Sequence, residues 1–358
     1  MEIIESADNR IIQEDMEQIA AEFASENRLN GTTVLVTGST GLIGSQVVKA
    51  LACINRKSRK NMKIIAYARN EEKVKKVFKT LLERGDVSYE IGDINESLTI
   101  TEPVDYIIHG ASATSSKFFV TNPVETIQTA INGTFNVLEF AKRQETLKCM
   151  VYLSSLEVYG VPARDGSLIK EEDYGYIDIL NVRSSYSEGK KMVECICASY
   201  AEEYQLPVKI ARLSQTFGPG VEYSDGRVFA EFARCALEKK DIVLHTQGRT
   251  VRSYCYTKDA VRALFYIMMD GISGEAYNVT NMDTLISIRD MAELVAKTIG
   301  EGQISVIIDA VEDVSSFGYN PEMVIKLDNS KLRGLGWEAT VNLEKMYQNM
   351  VEGFAKIE

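Results

Sequence analysis

Apolar residues in the first thirty positions recur at helical spacing, at Ile12, Met16, Ile19, Ala20 and Phe23 with acids between them. That pattern predicts an amphipathic helix whose role is packing. From Gly31 onward the period changes. Short apolar runs at 33–36, Lys63–Ala68, Val87–Ile91, Tyr106–His109, 150–153 and Val208–Leu213 alternate with helical patterns. Runs that are apolar on both faces suit strands covered on both sides, so the expected fold class is α/β, a doubly wound parallel sheet with helices on either face. After Phe217-Gly218-Pro219-Gly220 the alternation loosens into helices and short strands, as in a smaller α+β lobe. Gly274-Glu275-Ala276-Tyr277-Asn278-Val279-Thr280 reads as one more strand, returning to the main sheet.

The first strand runs directly into Thr37-Gly38-Ser39-Thr40-Gly41-Leu42-Ile43-Gly44, and an amphipathic pattern follows over 45–51. Three glycines at this spacing mean little alone. Between a buried strand and a helix they form a turn whose backbone N–H groups meet a pyrophosphate at the positive helix end. The sheet is therefore read as Rossmann-type, with residues 1–30 a helical extension, 31–216 a dinucleotide-binding domain and 217–358 mainly a substrate-binding lobe. Gly38, Thr40, Gly41, Leu42, Ile43 and Gly44 are the expected cofactor cradle.

Far downstream stands Tyr186-Ser187-Glu188-Gly189-Lys190. Oxidising a secondary alcohol needs a base for the hydroxyl proton while a nicotinamide takes the hydride. A phenol with a reference pKa of ~10 is a poor base unless positive charge lies close by. On a helix Tyr186 and Lys190 share a face, which places an ammonium group beside the phenol. A strand ending Tyr152-Leu153-Ser154-Ser155 runs into Leu156-Glu157-Val158-Tyr159-Gly160, putting hydroxyls and a carboxylate where open α/β sheets bind ligands. Ser155 is the expected hydrogen-bond partner of the reacting hydroxyl and of Tyr186. Glu157 has two readings, an acid/base at the neighbouring carbon or a cap on its own loop.

Bulk properties narrow the field further. A net charge of −11 with no Lys/Arg-rich run is wrong for nucleic acid or an anionic membrane. The most apolar run, 263–269, is far shorter than the ~20 residues needed to span a bilayer. The start, Met1-Glu2-Ile3-Ile4-Glu5-Ser6, lacks the charge and hydrophobicity of a secretory signal, and six cysteines without Cys-x-x-Cys spacing suit reduced thiols. A cytoplasmic protein is expected. With only His109 and His245, neither a metal centre nor a Ser-His-Asp triad is expected, and His109, at the end of an apolar strand, reads as a packed structural residue.

At this point the chain resembles the extended short-chain dehydrogenase/reductases of the NAD-dependent epimerase/dehydratase family, which modify nucleotide sugars, and within it most the UDP-glucuronate decarboxylases. The resemblance runs from Gly31 to the end. It rests on Ala111-Ser112 through Asn122-Pro123, Ser155-Leu156-Glu157-Val158-Tyr159-Gly160, Arg183 with Tyr186-Ser187-Glu188-Gly189-Lys190, Ala211-Arg212 with Thr216-Phe217-Gly218-Pro219, Asp225-Gly226-Arg227-Val228, and Arg252-Ser253-Tyr254-Cys255-Tyr256 with Asp259. It implies a tightly held cofactor that oxidises C4 of the sugar to a transient ketone and is regenerated within the turnover, with decarboxylation or 4-epimerisation as the outcome. It carries over Ser155, Tyr186 and Lys190 as catalytic residues and Glu157 as an added acid/base. It implies cofactor contacts from Asp93, Ile94, Ala111, Ser112 and Ser154, and substrate contacts from Ser115, Gln215, Arg227 and Arg252, the two arginines gripping the diphosphate. A plain salt bridge is the other reading of either arginine.

Departures from the family pattern matter. Leucine at 156 cannot protonate a departing hydroxyl, which disfavours dehydration. Gln215 stands where decarboxylases usually carry Asn, and Ala130 replaces the family's Asn before the Gly-Thr pair. The second strand ends in Arg69-Asn70, without the acid that would hold an NAD ribose. Arg69 suits a 2′-phosphate, whereas Glu71 or Glu72 reaching back would suit NAD, so NAD and NADP both stand. An NADPH-dependent carbonyl reductase and a non-catalytic dinucleotide-binding regulator are the competing functions. A homodimer is expected, through an apolar stripe of Met192, Val193, Ile196 and Tyr200 that faces either a second copy or the protein's own core.

Overall fold

The computed structural model describes residues 2–162, 166–311 and 322–354, so 312–321 and 355–358 of the expected C-terminal lobe lie outside the described residues. The elements in chain order are α1 (Arg10–Glu22), β1 (Thr33–Thr37), α2 (Leu42–Ser58), β2 (Lys63–Ala68), α3 (Glu71–Phe78), β3 (Val87–Ile91), β4 (Tyr106–His109), α4 (Ser116–Thr121), α5 (Pro123–Lys142), β5 (Cys149–Ser155), α6 (Ser184–Tyr204), β6 (Val208–Leu213), β7 (Gln215–Phe217), α7 (Val228–Leu237), β8 (Ile242–Leu244), β9 (Val251–Tyr256), α8 (Thr257–Asp270), β10 (Ala276–Val279), β11 (Asn281–Ser287), α9 (Ile288–Thr298), β12 (Val306–Ile308), β13 (Val324–Ile325), α10 (Ser330–Arg333) and α11 (Leu343–Phe354).

Seven strands form one sheet in the order β10-β6-β5-β4-β1-β2-β3, and every pairing in it is parallel. β1 is buried along its whole length because helices cover both faces, which is why it reads as an unbroken apolar run. The strand order reverses between β1 and β4. Thr37 pairs with Tyr67 on one side and with His109 on the other, so the crevice beyond the carboxyl ends of β1 and β4 is the sheet's switch point. A second sheet, β11-β9-β13 with β7 beside β9, and the pair β12-β8 belong to the C-terminal half. That half also returns two elements to the first sheet, α8 onto α2 and β10 onto the edge strand β6.

α1 closes the helix layer over α2 and α8. Ile12, Met16, Ile19 and Ala20 lie in the largest core cluster, and the Phe23 ring meets Phe265 edge-on at 5.3 Å. The chain before α1 is tied down by charge: fully buried Glu5 accepts from Arg56 at 2.8 and 2.9 Å and from Arg84 at 2.6 Å. Burial alone would raise the Glu5 pKa, yet hydrogen bonds from Arg56, Gln13 and Arg84 with the Arg56 charge bring it down to about 2. A carboxyl depressed in the folded state stabilises fully above its unfolded pKa of ~4.5 and loses that contribution as the pH falls towards 2. Proteolytic cleavage ahead of α1 is therefore expected to accelerate between those two pH values. Glu5→Gln should show the faster cleavage already at neutral pH, and identical rates for the two proteins would contradict this.

The apolar stripe on α6 resolves inward. Val193, Ile196 and Tyr200 pack with Val137, Phe140, Tyr152 and Ile210 under the sheet, and Met192 alone of the four is exposed, at 51%. α6 has to cover the sheet beside α5, and that task consumes the stripe. Among the described residues no helix is long and apolar enough to cross a membrane, and no group of three His, Cys, Asp or Glu side chains is placed to hold a metal ion.

Candidate active site

A cleft of about 760 Å³ opens at the switch point. Its floor is the β1–α2 turn. Gly38 has φ +67°, and a Cβ there would stand 2.7 Å from the backbone of Gly110 and Ala111; a Cβ on Gly44 would stand 2.3 Å from the Gly38 carbonyl. Strand end, helix start and the β4 end thus approach more closely than any side chain permits. Gly41 caps α2 without a side-chain hydrogen bond, so first-turn N–H groups face the cleft with no internal partner. That cradle fits a pyrophosphate. Thr40, Leu42, Ile43, Ile94, Ala111 and Ser112 also line the cleft, and Arg69, Asn70 and Lys73 form the wall at the end of β2. Asp93 is not among the lining residues; one oxygen of its exposed carboxylate accepts from the Asn95 backbone and side chain at 2.9 and 3.0 Å.

The opposite wall comes from β5, its following turn and α6, with Ser154, Ser155, Leu156, Glu157, Tyr186 and Lys190 all in the cleft lining. The Ser155 hydroxyl lies near the Tyr186 phenol and favours its ionised form. Its ring stacks on Phe119 of α4 at 4.2 Å and 10°, and Ser185 fixes that helix by donating to the Phe119 carbonyl. Burial, and then the Glu157 charge, push the phenol up to about 12, against the Ser155 hydrogen bond and the charges of Arg227 and Arg183. These groups alone keep the phenol protonated at neutral pH, and further positive charge is needed to make it a base. Lys190 Nζ donates to the Leu153 carbonyl at 2.7 Å and lies over two rings, 4.6 Å from the Tyr152 centroid and 5.8 Å from that of Tyr186. Burial pulls its pKa down to about 7, partly countered by Glu194 and Cys197.

Glu157 is held by a two-pronged ion pair from Arg183, at 2.9 and 3.0 Å, and by the Ser187 hydroxyl at 3.0 Å. Burial would raise its pKa, but those bonds and the Arg183 and Arg252 charges hold it below the usual carboxylate range. At neutral pH it is an anion able to accept a proton and with none to give. Leu156 is 4% exposed and packs with Val158, Ile169, Ile325 and Leu327, so it offers the cleft no proton donor.

On the substrate side Ser115, Gln215 and Arg227 line the cleft. Arg227 spends Nε and Nη2 on Asp225, at 2.6 to 3.1 Å, which aims the guanidinium. Arg252 is not part of this lining; its Nε is buried without a hydrogen-bond partner, and its charge acts on Glu157. His109 is packed away, bonded to Thr37 at 2.7 Å and Thr134 at 3.1 Å, and burial lowers its pKa to about 3. Ala130 faces the interior and Asn132 faces solvent.

Three supports of this site are pairings that the motifs did not assign, although Arg183, Glu157 and Arg212 stand in them: the Phe119 stack, the Arg183–Glu157 pair and a buried network behind Lys190. In that network Glu194 accepts from Ser154 at 2.5 Å and from Arg212 at 2.7 to 3.1 Å, while Arg212 also reaches Tyr159 at 2.8 Å. The one sequence signal for it is spacing. Tyr186, Lys190 and Glu194 stand four apart, a polar stripe on a helix otherwise occupied with the core.

Comparison with known proteins agrees with this geometry. The profile of the family described as NAD dependent epimerase/dehydratase matches residues 34–280. UDP-glucuronic acid decarboxylase 3 of Arabidopsis thaliana is 32% identical over 327 residues, covering 90% of this chain and 88% of that protein. The dTDP-D-glucose 4,6-dehydratase of Bos taurus is 28% identical over 334 residues, covering 90% and 88%. Among solved structures, a UDP-N-acetylglucosamine 4-epimerase from Methanobrevibacter ruminantium M1 superposes with TM-score 0.78 at 19% identity, over 92% of this chain and all of that one.

Proposed function

Because this chain belongs to the NAD dependent epimerase/dehydratase family and is an enzyme with a nicotinamide dinucleotide cofactor, we propose that it modifies a nucleotide-diphosphate sugar through a transient 4-keto intermediate. The observation that carries the reading is the meeting, in one cleft, of the glycine cradle with Ser155, Tyr186 and Lys190. The cradle holds the pyrophosphate, and Lys190 lies within reach of the adjoining ribose. When bound, the nicotinamide supplies the hydride acceptor and, oxidised, the positive charge that the buried phenol lacks. Tyr186 takes the C4 hydroxyl proton, Ser155 orients that hydroxyl, and Arg227 grips the diphosphate, while Arg252, outside the cleft lining, contributes its charge to Glu157.

Decarboxylation of a hexuronate is the outcome this arrangement favours, as in the plant relative. Oxidation at C4 makes the sugar a β-keto acid; as the bond from C5 to the carboxylate breaks, carbon dioxide leaves and its electron pair passes into the C4 enolate, a step that needs no acid at position 156, where Leu156 has none to offer. Glu157, fixed as an anion by Arg183, gives no proton itself, so C5 takes one from solvent, after which the hydride would return to C4 and Tyr186 would return its proton to the C4 oxygen. Incubation with UDP-glucuronate should release carbon dioxide and a UDP-pentose with no net change in cofactor. A new epimer from a neutral UDP-sugar would replace decarboxylation by epimerisation. Stoichiometric consumption of NADPH on a simple carbonyl compound, with no nucleotide-sugar product, would overturn the reading in favour of a reductase.

The protein is further read as a cytoplasmic homodimer. All six cysteines are free, four of them buried. The outer face of α5 with α6 exposes Val124, Ile127, Phe135 and Met192, an apolar surface suited to a second copy. A light-scattering mass of two chains is expected; that of one chain would contradict it.

A further inference from the structure

We propose that Ser214 is a substrate-recognition residue whose hydroxyl donates to the carboxylate that a hexuronate carries on C5. The inference rests on the nucleotide-sugar reading of the cleft and adds one contact inside it. Ser214 directly follows β6, belongs to the cleft lining and is 5% exposed. Its backbone is committed within the fold: the N–H donates to the Val279 carbonyl of β10 at 3.0 Å, and the carbonyl accepts from the Thr216 hydroxyl at 2.9 Å. Its side-chain oxygen is buried and has no hydrogen-bond partner.

Among the described residues of the lining, no other side chain carries a buried polar atom without a partner. The other two buried Ser and Thr hydroxyls there are taken, that of Ser154 by Glu194 and that of Thr216 by the Ser214 carbonyl. Leaving a buried hydroxyl unpaired costs stability, and a bound molecule that supplies the missing acceptor recovers that cost. Ser214 is thus the place in the cleft where the fold leaves a hydrogen bond for a ligand to complete.

Strand register indicates which part of the ligand. β5 and β6 pair in parallel with Ser155 opposite Leu213, and neighbouring strands lie ~4.8 Å apart. Ser214 therefore stands one residue beyond the level of Ser155, which orients the C4 hydroxyl, and a group at that point meets a substituent on a carbon beside C4. C3 bears a hydroxyl and C5 the carboxylate, and an ionised acceptor makes the stronger bond to a donated hydroxyl. The carboxylate also has the greater need of it. Leu156 brings no donor to this corner, while Arg183 and Ser187 are committed to the Glu157 anion, at 2.9 to 3.0 Å.

Two measurements test this. Cofactor-loaded protein carrying Tyr186→Phe, which holds the substrate unreacted, is titrated calorimetrically with and without Ser214→Ala, using UDP-glucuronate, UDP-xylose, which has no carbon attached to C5 outside the ring, and UDP. Thermal midpoints of the two proteins are compared alongside. Ser214→Ala is expected to weaken UDP-glucuronate by about tenfold or more, as for loss of a hydrogen bond to a charged acceptor, and to leave UDP-xylose and UDP unchanged. Its midpoint should stand at or above that of the parent, because no bond within the protein is lost. Unchanged affinity for UDP-glucuronate, or an equal loss for UDP-xylose, overturns the inference and leaves the proposed function standing. A lowered midpoint without the selective loss overturns it too, since it assigns the hydroxyl to the fold. Binding of none of the three probes by the parent protein removes both the inference and the reading on which it rests.

Discussion

Replacing Tyr186 by phenylalanine is expected to lower kcat by about 10²–10⁴-fold, the range for removing a positioned acid–base group, while the thermal midpoint and the affinity for cofactor stay close to wild type. The ring keeps its 4.2 Å stack on Phe119, and what is lost is the hydroxyl beside Ser155. Because burial and Glu157 push the phenol up to about 12, wild-type activity should rise with pH through the neutral range. The variant should show no such rise. Steady-state rates over a pH series check both points, and a variant within a few-fold of wild type would remove Tyr186 from the chemistry.

The second large effect is structural. Glu194→Ala leaves the Arg212 guanidinium buried, 3% exposed, without its carboxylate, and deprives Ser154 of its partner. Breaking a buried pair from one side costs about 3–5 kcal/mol, because the surviving charge is uncompensated. Denaturant unfolding should register that loss. The double replacement Glu194→Met with Arg212→Met should recover a large part of it, since no lone charge remains. A single variant as stable as wild type would contradict the account of this network. Since α6 carries Tyr186, Lys190 and Glu194 together, the stability loss should be accompanied by a fall in kcat as well.

The parts of this protein visible in its sequence are those that depend on neighbours along the chain. β1, β2 and β4 stand where short apolar runs stand, because a strand covered on both faces must be largely apolar; β6 also carries buried Lys209 and Arg212, and the edge strand β3 buries only Val87. The glycine turn is legible because its steric demand falls on Gly38 and Gly44, within one turn of each other. Tyr186 and Lys190 are visible as a pair because a helix brings i and i+4 together. What hid was set by pairing across distance. Glu157 gave two readings because Arg183, 26 residues away, decides its charge state. Phe119 looks like one more apolar residue until α4 is laid against α6. The α6 stripe announces that a face is covered, not by what, and the sheet claimed three of its four residues.

The central claim is that the phenol of Tyr186 removes the proton of the sugar's C4 hydroxyl as a hydride leaves C4. Mixing cofactor-loaded protein rapidly with UDP-glucuronate and following the near-ultraviolet absorbance of reduced nicotinamide tests it most directly. The account predicts that this absorbance rises and then decays within one turnover in the wild type, and is absent from Tyr186→Phe. Product formation with no transient at any substrate concentration, or the same transient in both proteins, would contradict it.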